Sequence, residues 1–197
     1  MQPTVELMWP AQADTQLSIE IHRVLRDVAE RGDAIGYLSP PTRSDTDSWL
    51  ERTLTAVQSG NAALAIALVE GTVQATGLWC RSPHAMFTRC ATLEKVMAHP
   101  GARGLGLGRL IVNALTDNAR TAGLETLDLG VRGNNHGAIQ LYEQLGFHEW
   151  GRRRNVIEVG NERYDEIRMT LHLGYSRGTV LRGSQPDGPG SSPRRRP

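Results

Sequence analysis

The sequence predicts one α/β domain of about seven strands and about four helices, followed by a short tail. Three observations predict this fold class. Short apolar runs have the alternation or continuity typical of strands, longer runs repeat apolar residues at helical spacing, and glycine or proline separates most of these runs. The chain has 197 residues, of which 39% are hydrophobic and 22% are charged, and this length suffices for one sizeable core.

The first segments predict a strand and two helices. TVELMW is a short strand candidate, and residues 13–30 repeat apolar residues on one helical face. A loop with two adjacent prolines follows. Asp45 or Asp47 is then expected to cap a second helix that runs through Val57.

Three more strands and a helix are predicted in the middle of the chain. AALAIALVE and TVQATGLWC are separated by Gly71 and predict a hairpin, and ATLEKVMA predicts a strand that stops before Pro100. A helix with one apolar stripe begins near Leu107, and Gly123 ends it.

The last third of the domain predicts a strand, a helix and a hairpin. LETLDLGV alternates as a strand does, NNHGAIQLYEQLG predicts a capped helix, and two further strands surround the turn GN. From Gly174 onward the composition shifts to Gly, Ser, Pro and Arg without apolar periodicity. We therefore assign residues 1–173 to the domain and residues 174–197 to a tail that we expect to be disordered.

Charge and targeting patterns exclude several function classes. The tail holds five of the 22 basic residues and one of the 21 acidic residues, so the domain itself is mildly acidic and lacks a nucleic-acid-binding footprint. We find no signal-peptide pattern and no run of membrane-spanning length, and we expect a cytoplasmic protein without a membrane partner.

Metal chemistry is not expected either. His84, His99 and His136 lack the spacing of metal ligands. Cys80 and Cys90 have no metal-ligand partners nearby in sequence, and we expect both to be reduced thiols.

The segment EKVMAHPGARGLGLGRLIV, residues 94–112, places alternating glycines between a strand and a helix. Glycine lets backbone N–H groups approach an anion closely, and a helix N-terminus adds a positive dipole end. A dinucleotide-binding loop would need a glycine where Arg109 stands, and a P-loop would need a terminal Gly-Lys-Ser/Thr. Two interpretations remain: a ligand-free turn, and a pyrophosphate held by Arg103-x-x-Gly106-x-Gly108, which we favour.

Two motifs carry a resemblance to a known family. RGLGLG after VMAHP, followed downstream by NNHGAIQLYEQLGF, resembles the acetyl-coenzyme A (acetyl-CoA) signature of the GNAT acyltransferase superfamily. The order of predicted elements over residues 4–173 is also that superfamily's order, and it implies a central mixed, mostly antiparallel sheet. GDAIGYLSPP and Trp49 in the following helix resemble the tabtoxin-resistance acetyltransferase group.

The resemblance implies acetyl-CoA as the acyl donor and no metal. Backbone N–H groups of the glycine loop would surround the pyrophosphate, and the preceding strand would pair with the pantetheine arm. An asparagine at the start of the next helix would contact the same arm, although helix capping alone also explains it. The implied cofactor-binding residues are Val96, Met97, Ala98, Arg103, Gly104, Leu105, Gly106, Leu107, Gly108, Arg109 and Asn135.

Tyr142 and Glu94 are the candidate catalytic residues. By resemblance, Tyr142 donates a proton to the departing thiolate, although its place on an apolar helix face also fits a core residue. The acceptor amine must lose a proton, but Thr92 and Gly130 stand where related enzymes often hold a carboxylate. Glu94 shares a strand face with Thr92 and is our candidate base, with a surface carboxylate or a water relay as the alternatives.

The predicted function is direct transfer of an acetyl group from acetyl-CoA to a primary amine in a ternary complex. A small-molecule amine is the expected acceptor, and a protein lysine or N-terminus is the alternative. A non-catalytic coenzyme A sensor on the same fold is the rival class, supported by the missing usual base and opposed by the intact loop and Tyr142. We expect no nucleic-acid or membrane partner, and a homodimer stays open.

Overall fold

The computed structural model describes residues 3–32, 36–37 and 39–174. Residues 175–197, nearly all of the predicted tail, lie outside these ranges. No helix in the described part of the chain is long and apolar enough to cross a membrane.

The described residues form seven strands and four helices in the predicted order, which confirms the fold class. Two short 3-10 turns, Ala85–Phe87 and Pro100–Ala102, flank the fourth strand. In chain order the elements are β1 (Val5–Met8), α1 (Thr15–Glu30), α2 (Arg43–Gln58), β2 (Ala62–Val69), β3 (Thr72–Arg81), β4 (Cys90–Ala98), α3 (Leu107–Thr121), β5 (Thr126–Arg132), α4 (His136–Gln144), β6 (His148–Val159) and β7 (Glu162–His172).

The start of α2 shows that the predicted cap was wrong. Thr42 is the N-cap, because its hydroxyl accepts a hydrogen bond from the Asp45 backbone N–H at 3.2 Å, and the Asp45 carboxylate accepts one from the Thr42 backbone N–H at 2.9 Å. This reciprocal pair is a capping box, which satisfies two N–H groups that the helix leaves unpaired. The Asp47 carboxylate instead accepts hydrogen bonds from Ser18 of α1 and from Arg43.

The strands form one mixed sheet in the order β1-β2-β3-β4-β5-β7-β6. Every neighbouring pair is antiparallel except β4 and β5, which run parallel. These two strands pair over only three residues each, Cys90–Thr92 against Thr126–Asp128. Beyond Thr92 they diverge, and a gap opens in the middle of the sheet.

Helices cover the two faces of the sheet unequally. α3 and α4 pack on one face, together with the alternating Leu127, Leu129 and Val131 of β5. α1 and α2 pack on the other face, against apolar residues of β1 to β4. The β5–β7 part of this second face carries polar side chains such as Glu166 and Arg168, which line the gap, whereas the apolar contacts of α1 and α2 are with β1 to β4.

A glycine in β3 brings α3 close to the sheet. The register of β3 against β4 shifts at Gly77, which therefore lies opposite two β4 residues, Lys95 and Val96, in a β-bulge. A Cβ atom on Gly77 would lie 2.5 Å from the Cγ2 atom of Ile111 in α3, closer than side chains pack. The bare backbone at Gly77 thus sets how closely α3, and the loop before it, approach β4.

Gly77→Ala should lower the free energy of unfolding by about 1–3 kcal/mol, the usual effect of overpacking a core. Urea unfolding followed by circular dichroism measures this change. Gly151→Ala in β6 is the matched control, because no heavy atom lies within 4 Å of its added Cβ. An equal loss in both variants would show that α3 is not held by this contact.

Candidate active site

The gap between β4 and β5 is the mouth of a large cavity, with a volume of about 900 Å³. β4, the glycine loop, the first turn of α3, β5, α4 and β7 line it. The structure brings twelve of the predicted site residues to this cleft: Glu94, Val96, Met97, Ala98, Arg103, Gly104, Gly106, Leu107, Gly108, Arg109, Asn135 and Tyr142. Leu105 is the exception, since it does not line the cleft and is 45% exposed.

The glycine loop is shaped by left-handed backbone at two positions. Gly104 has φ +85° and Gly106 has φ +73°, a region that favours glycine. Gly106 is the N-cap of α3 and has no side chain to cap the helix, so the first-turn N–H groups of α3 receive no side-chain hydrogen bond there. The first turn of α3 therefore presents N–H groups without a side-chain cap, and the positive end of the helix dipole, to the cleft.

β4 contributes an open backbone edge. Its register with β5 ends at Thr92, so the groups of Val96, Met97 and Ala98 on that side have no β5 partner. Lys95 has φ +50° within the bulge, which interrupts the regular alternation of the strand. An extended ligand could pair with this edge as an added strand would.

Tyr142 lies on the buried face of α4 and also borders the cleft. Its ring is 8% exposed and meets Phe147 edge-on, with 5.6 Å between the ring centroids. Among the described residues its hydroxyl has no hydrogen-bond partner. Burial raises the pKa of Tyr142 to about 12, so the hydroxyl is protonated at neutral pH. This position fits a core residue, and because Tyr142 also borders the cleft, its role as a proton donor stays a prediction.

Asn135 also combines both predicted positions. It is the N-cap of α4, where its side-chain oxygen accepts a hydrogen bond from the Ala138 backbone N–H at 3.3 Å. It lines the cleft as well.

Two charged residues that line the cleft were not predicted as site residues from the sequence. Glu166 and Arg168 of β7 line it next to Gly130 of β5, where a carboxylate had been sought. A Cβ atom on Gly130 would lie only 2.6 Å from the Oε1 atom of Glu166. The alternation of Ile167 and Met169 in β7 does place Glu166 and Arg168 on the opposite, polar face, but the sequence gives no sign that β7 lies beside β5.

Glu94 is exposed on the opposite wall, two residues beyond the last β4 residue paired with β5. Leu78 and Cys80 of β3 pair with Glu94 and Thr92 in turn, which agrees with the predicted shared face. No group of three His, Cys, Asp or Glu side chains in the described ranges could hold a metal ion.

Comparisons with known proteins decide the family. A sequence model of the Acetyltransferase (GNAT) family matches residues 24–147. The chain belongs to the GNAT acetyltransferase family. This agrees with the superfamily resemblance of the two motifs, while the closer tabtoxin-resistance group has no support among these matches.

Relatives within the GNAT family differ in what they acetylate. The [ribosomal protein bS18]-alanine N-acetyltransferase of Salmonella typhimurium is 42% identical over 83 residues, which are 42% of this chain and 56% of that protein. The L-methionine sulfoximine/L-methionine sulfone acetyltransferase of the same organism is 38% identical over 54 residues, 27% of this chain and 32% of that protein. The chain thus spans about half the length of the first relative and about a third of the second.

A solved structure agrees in fold. The structure of yncA from Salmonella typhimurium, determined with its cofactor acetyl-CoA, superimposes with a TM-score of 0.75 at 22% identity. The match covers 93% of this chain and 98% of that one.

His99 ties the start of the glycine loop to α1. Its Nδ1 atom accepts a hydrogen bond from the Gly101 backbone N–H at 3.1 Å, so the proton of a neutral ring is on Nε2, 3.0 Å from the Asp27 carboxylate. Partial burial raises the pKa of Asp27, but hydrogen bonds from Arg26 and His99 outweigh it, and the pKa lies below its ordinary value. The ionised carboxylate therefore stabilises the fold at neutral pH.

Asp27→Ala should lower the free energy of unfolding at pH 7 by about 1–2 kcal/mol. The pKa of Asp27 is lower in the folded protein than in the unfolded chain, where it is about 3.9. Its ionised carboxylate therefore stabilises the fold above pH ~4, and this stabilisation is lost as the pH falls through the pKa of the folded state. The difference from the wild type should therefore shrink in urea titrations repeated below pH ~4. Asp117→Ala is the control, because Asp117 pairs with Arg120 but its side chain is 76% exposed. A difference that persists unchanged at pH 2–3 would contradict this account.

Proposed function

We propose that this GNAT-family protein transfers an acetyl group from acetyl-CoA directly to a primary amine in a ternary complex. The single observation that carries the proposal is the convergence of the glycine loop, the open β4 edge and Tyr142 on one cleft. Acetyl-CoA has a pyrophosphate, then an extended pantetheine arm, then the sulfur that leaves as a thiolate. These groups would meet the glycine loop, the β4 edge and Tyr142 in the same order.

The residues of the cleft fit acetyl-CoA, which supplies an activated thioester when bound. Backbone N–H groups from Arg103 to Arg109 would hold the pyrophosphate, because glycine at 104 and 106 leaves its approach unobstructed. The β4 edge from Val96 to Ala98 would bind the pantetheine arm by backbone hydrogen bonds. A backbone N–H at Met97 or Ala98 would polarise the thioester carbonyl.

Tyr142 would act as the general acid. Its raised pKa keeps the proton on the hydroxyl until a stronger base forms nearby. A proton from Tyr142 would neutralise the thiolate as the carbon–sulfur bond breaks, and the negative charge would then lie on the Tyr142 oxygen. The proton that the amine nitrogen loses on acetylation would restore the hydroxyl, directly or through water. Glu94, exposed on the β4 wall, would accept the amine proton directly or through a water molecule.

A small-molecule amine is the acceptor we propose. The resemblance of residues 32–41 to the tabtoxin-resistance group supports it, although residues 33–35 and 38 of that segment lie outside the described ranges. The sulfone-acetylating relative supports it as well. A protein N-terminus is the second candidate, favoured by the longer and more similar match to the bS18-alanine enzyme.

Release of free coenzyme A thiol from acetyl-CoA tests both candidates. L-methionine sulfone and a hexapeptide that begins with alanine serve as the two acceptors. Amine-dependent release supports the transferase, and the better acceptor selects between the two classes. Binding of acetyl-CoA without release for any amine across a wider panel would favour the coenzyme A sensor.

Acetyl-CoA at about a hundred times its dissociation constant should add about 2.7 kcal/mol to the free energy of unfolding. Differential scanning fluorimetry should show this as a rise of several degrees in Tm. Gly106→Val should abolish the rise, because a branched side chain at φ +73° distorts the loop that holds the pyrophosphate.

Gly123→Val is the matched control for this test. Gly123 follows the other end of α3 with φ +74°, and, like Gly106, it has no heavy atom within 4 Å of its added Cβ. It should lose a similar amount of stability but keep the acetyl-CoA response. If acetyl-CoA leaves the Tm of the wild-type protein unchanged, the proposed function is wrong.

Tyr142→Phe should lower kcat by ~10²–10⁴-fold where chemistry limits turnover, the usual contribution of a general acid. Phenylalanine keeps the ring that packs against Phe147, so Tm and the affinity for acetyl-CoA should stay near those of the wild type. Steady-state kinetics beside a melting curve separates the two roles. Unchanged kcat with reduced Tm would make Tyr142 a core residue only.

A further inference from the structure

We propose that Glu166 is the carboxylate that binds the acceptor amine, and that Gly130 exists to admit it. This inference rests on the acetyl transfer proposed above and extends it to the acceptor side of the cleft. It concerns an amine that arrives as an ammonium ion, the form of an aliphatic primary amine at neutral pH.

The position of Glu166 follows from the register of three strands. Thr92 of β4 is the last residue paired with β5, opposite Asp128. Two residues further along, Glu94 lies on one wall of the gap and Gly130 on the other. Gly130 pairs with Arg168 of β7, and Glu166 is two residues along that strand on the same face. Glu94 and Glu166 therefore border the cleft from opposite sides.

Gly130 supplies the space that the carboxylate occupies. The Oε1 atom of Glu166 lies 2.6 Å from the position of a Cβ on Gly130, and a guanidinium nitrogen of Arg168 lies 3.4 Å from it. Any other residue at 130 would thus displace Glu166. The carboxylate that β5 lacks at position 130 is thus supplied by Glu166 of β7.

Two arginines hold the Glu166 carboxylate in place. Arg168 donates a hydrogen bond to Oε1 at 3.0 Å, and Arg153 donates one to Oε2 at 3.1 Å. Each oxygen of a carboxylate accepts more than one hydrogen bond, so both retain capacity for an acceptor N–H. The Glu166 side chain is only 17% exposed, and it lines the cleft.

The different surroundings of Glu166 and Glu94 suit the two carboxylates to different roles. Glu166 is fixed by two arginines, and the remaining acceptor capacity of its two oxygens suits a hydrogen bond from the N–H groups of the acceptor. Glu94 is exposed and suits the exchange of a proton with water. Glu166 is thus expected to affect acceptor binding and Glu94 to affect turnover.

Three variants test the assignment: Glu166→Gln, Gly130→Ala, and the two combined. Binding of L-methionine sulfone and of the alanine hexapeptide is measured by calorimetry on protein saturated with coenzyme A, so the readout needs no chemistry. Each single variant should weaken binding of the better probe by about tenfold to a hundredfold, the effect of losing a hydrogen bond to a charged group. The double variant should be no worse than either single one, because both remove the same carboxylate.

Two controls make the result specific. Glu158→Gln removes another carboxylate from the β6–β7 hairpin, one that pairs with Arg163 at 2.7 Å outside the cleft, and should leave probe binding unchanged. The Tm rise with acetyl-CoA should be the same in all variants, since none alters the glycine loop. Glu94→Gln should lower kcat with little change in probe binding.

The outcomes separate this inference from the proposed function. Turnover with unchanged probe binding in Glu166→Gln would overturn the role of Glu166 and leave acetyl transfer intact. Probe binding that depends on Glu166 without any coenzyme A release would uphold the inference and overturn acetyl transfer. Additive losses in the double variant would show that Gly130 acts independently of Glu166. Absence of binding of both probes to the wild type would overturn the inference and leave acetyl transfer to the release assay.

Discussion

The early end of pairing between β4 and β5 is the constraint on which the rest of the structure depends. Backbone N–H and C=O groups that lose a strand partner in a buried place must be satisfied by something else. Beyond Thr92 the sheet offers none, so β4 has one open edge in the middle of the protein. A ligand that extends along this edge would complete the sheet, and a cavity of about 900 Å³ lies beside the edge.

Two glycines shape the opposite sides of this gap by leaving space for other residues. Gly77 lets Ile111 approach β3, so α3 and the glycine loop before it lie against β4. Gly130 lets Glu166 approach β5 from the neighbouring strand. The first contact is apolar and positions the loop proposed to bind the pyrophosphate. The second is polar and brings a carboxylate to the side proposed for the acceptor.

Local patterns predicted the fold well because each element has its own signal in the sequence. Alternation in LETLDLGV and the apolar stripe of α3 depend only on neighbouring residues, and both elements lie where these signals put them. The N-cap of α2 was predicted wrongly because the side chains of Thr42 and Asp45 can both cap a helix. Only the backbone conformation shows that Thr42 is the N-cap. The contact between Gly130 and Glu166 could not be predicted, since residues far apart in sequence meet only through the strand order β5-β7-β6.

Charged side chains of both signs line the cleft. Arg103 and Arg109 flank the glycine loop at the end proposed for the pyrophosphate, while Glu94, Lys95 and Glu166 border the other end. An anionic donor would thus be drawn to the first end, and the second end offers two carboxylates next to a cation. Arg168 also lies at the acceptor end, but its contact with Glu166 places a positive group directly beside the negative one. An acceptor that carries both an ammonium and a nearby anionic group would match this pair better than a simple amine.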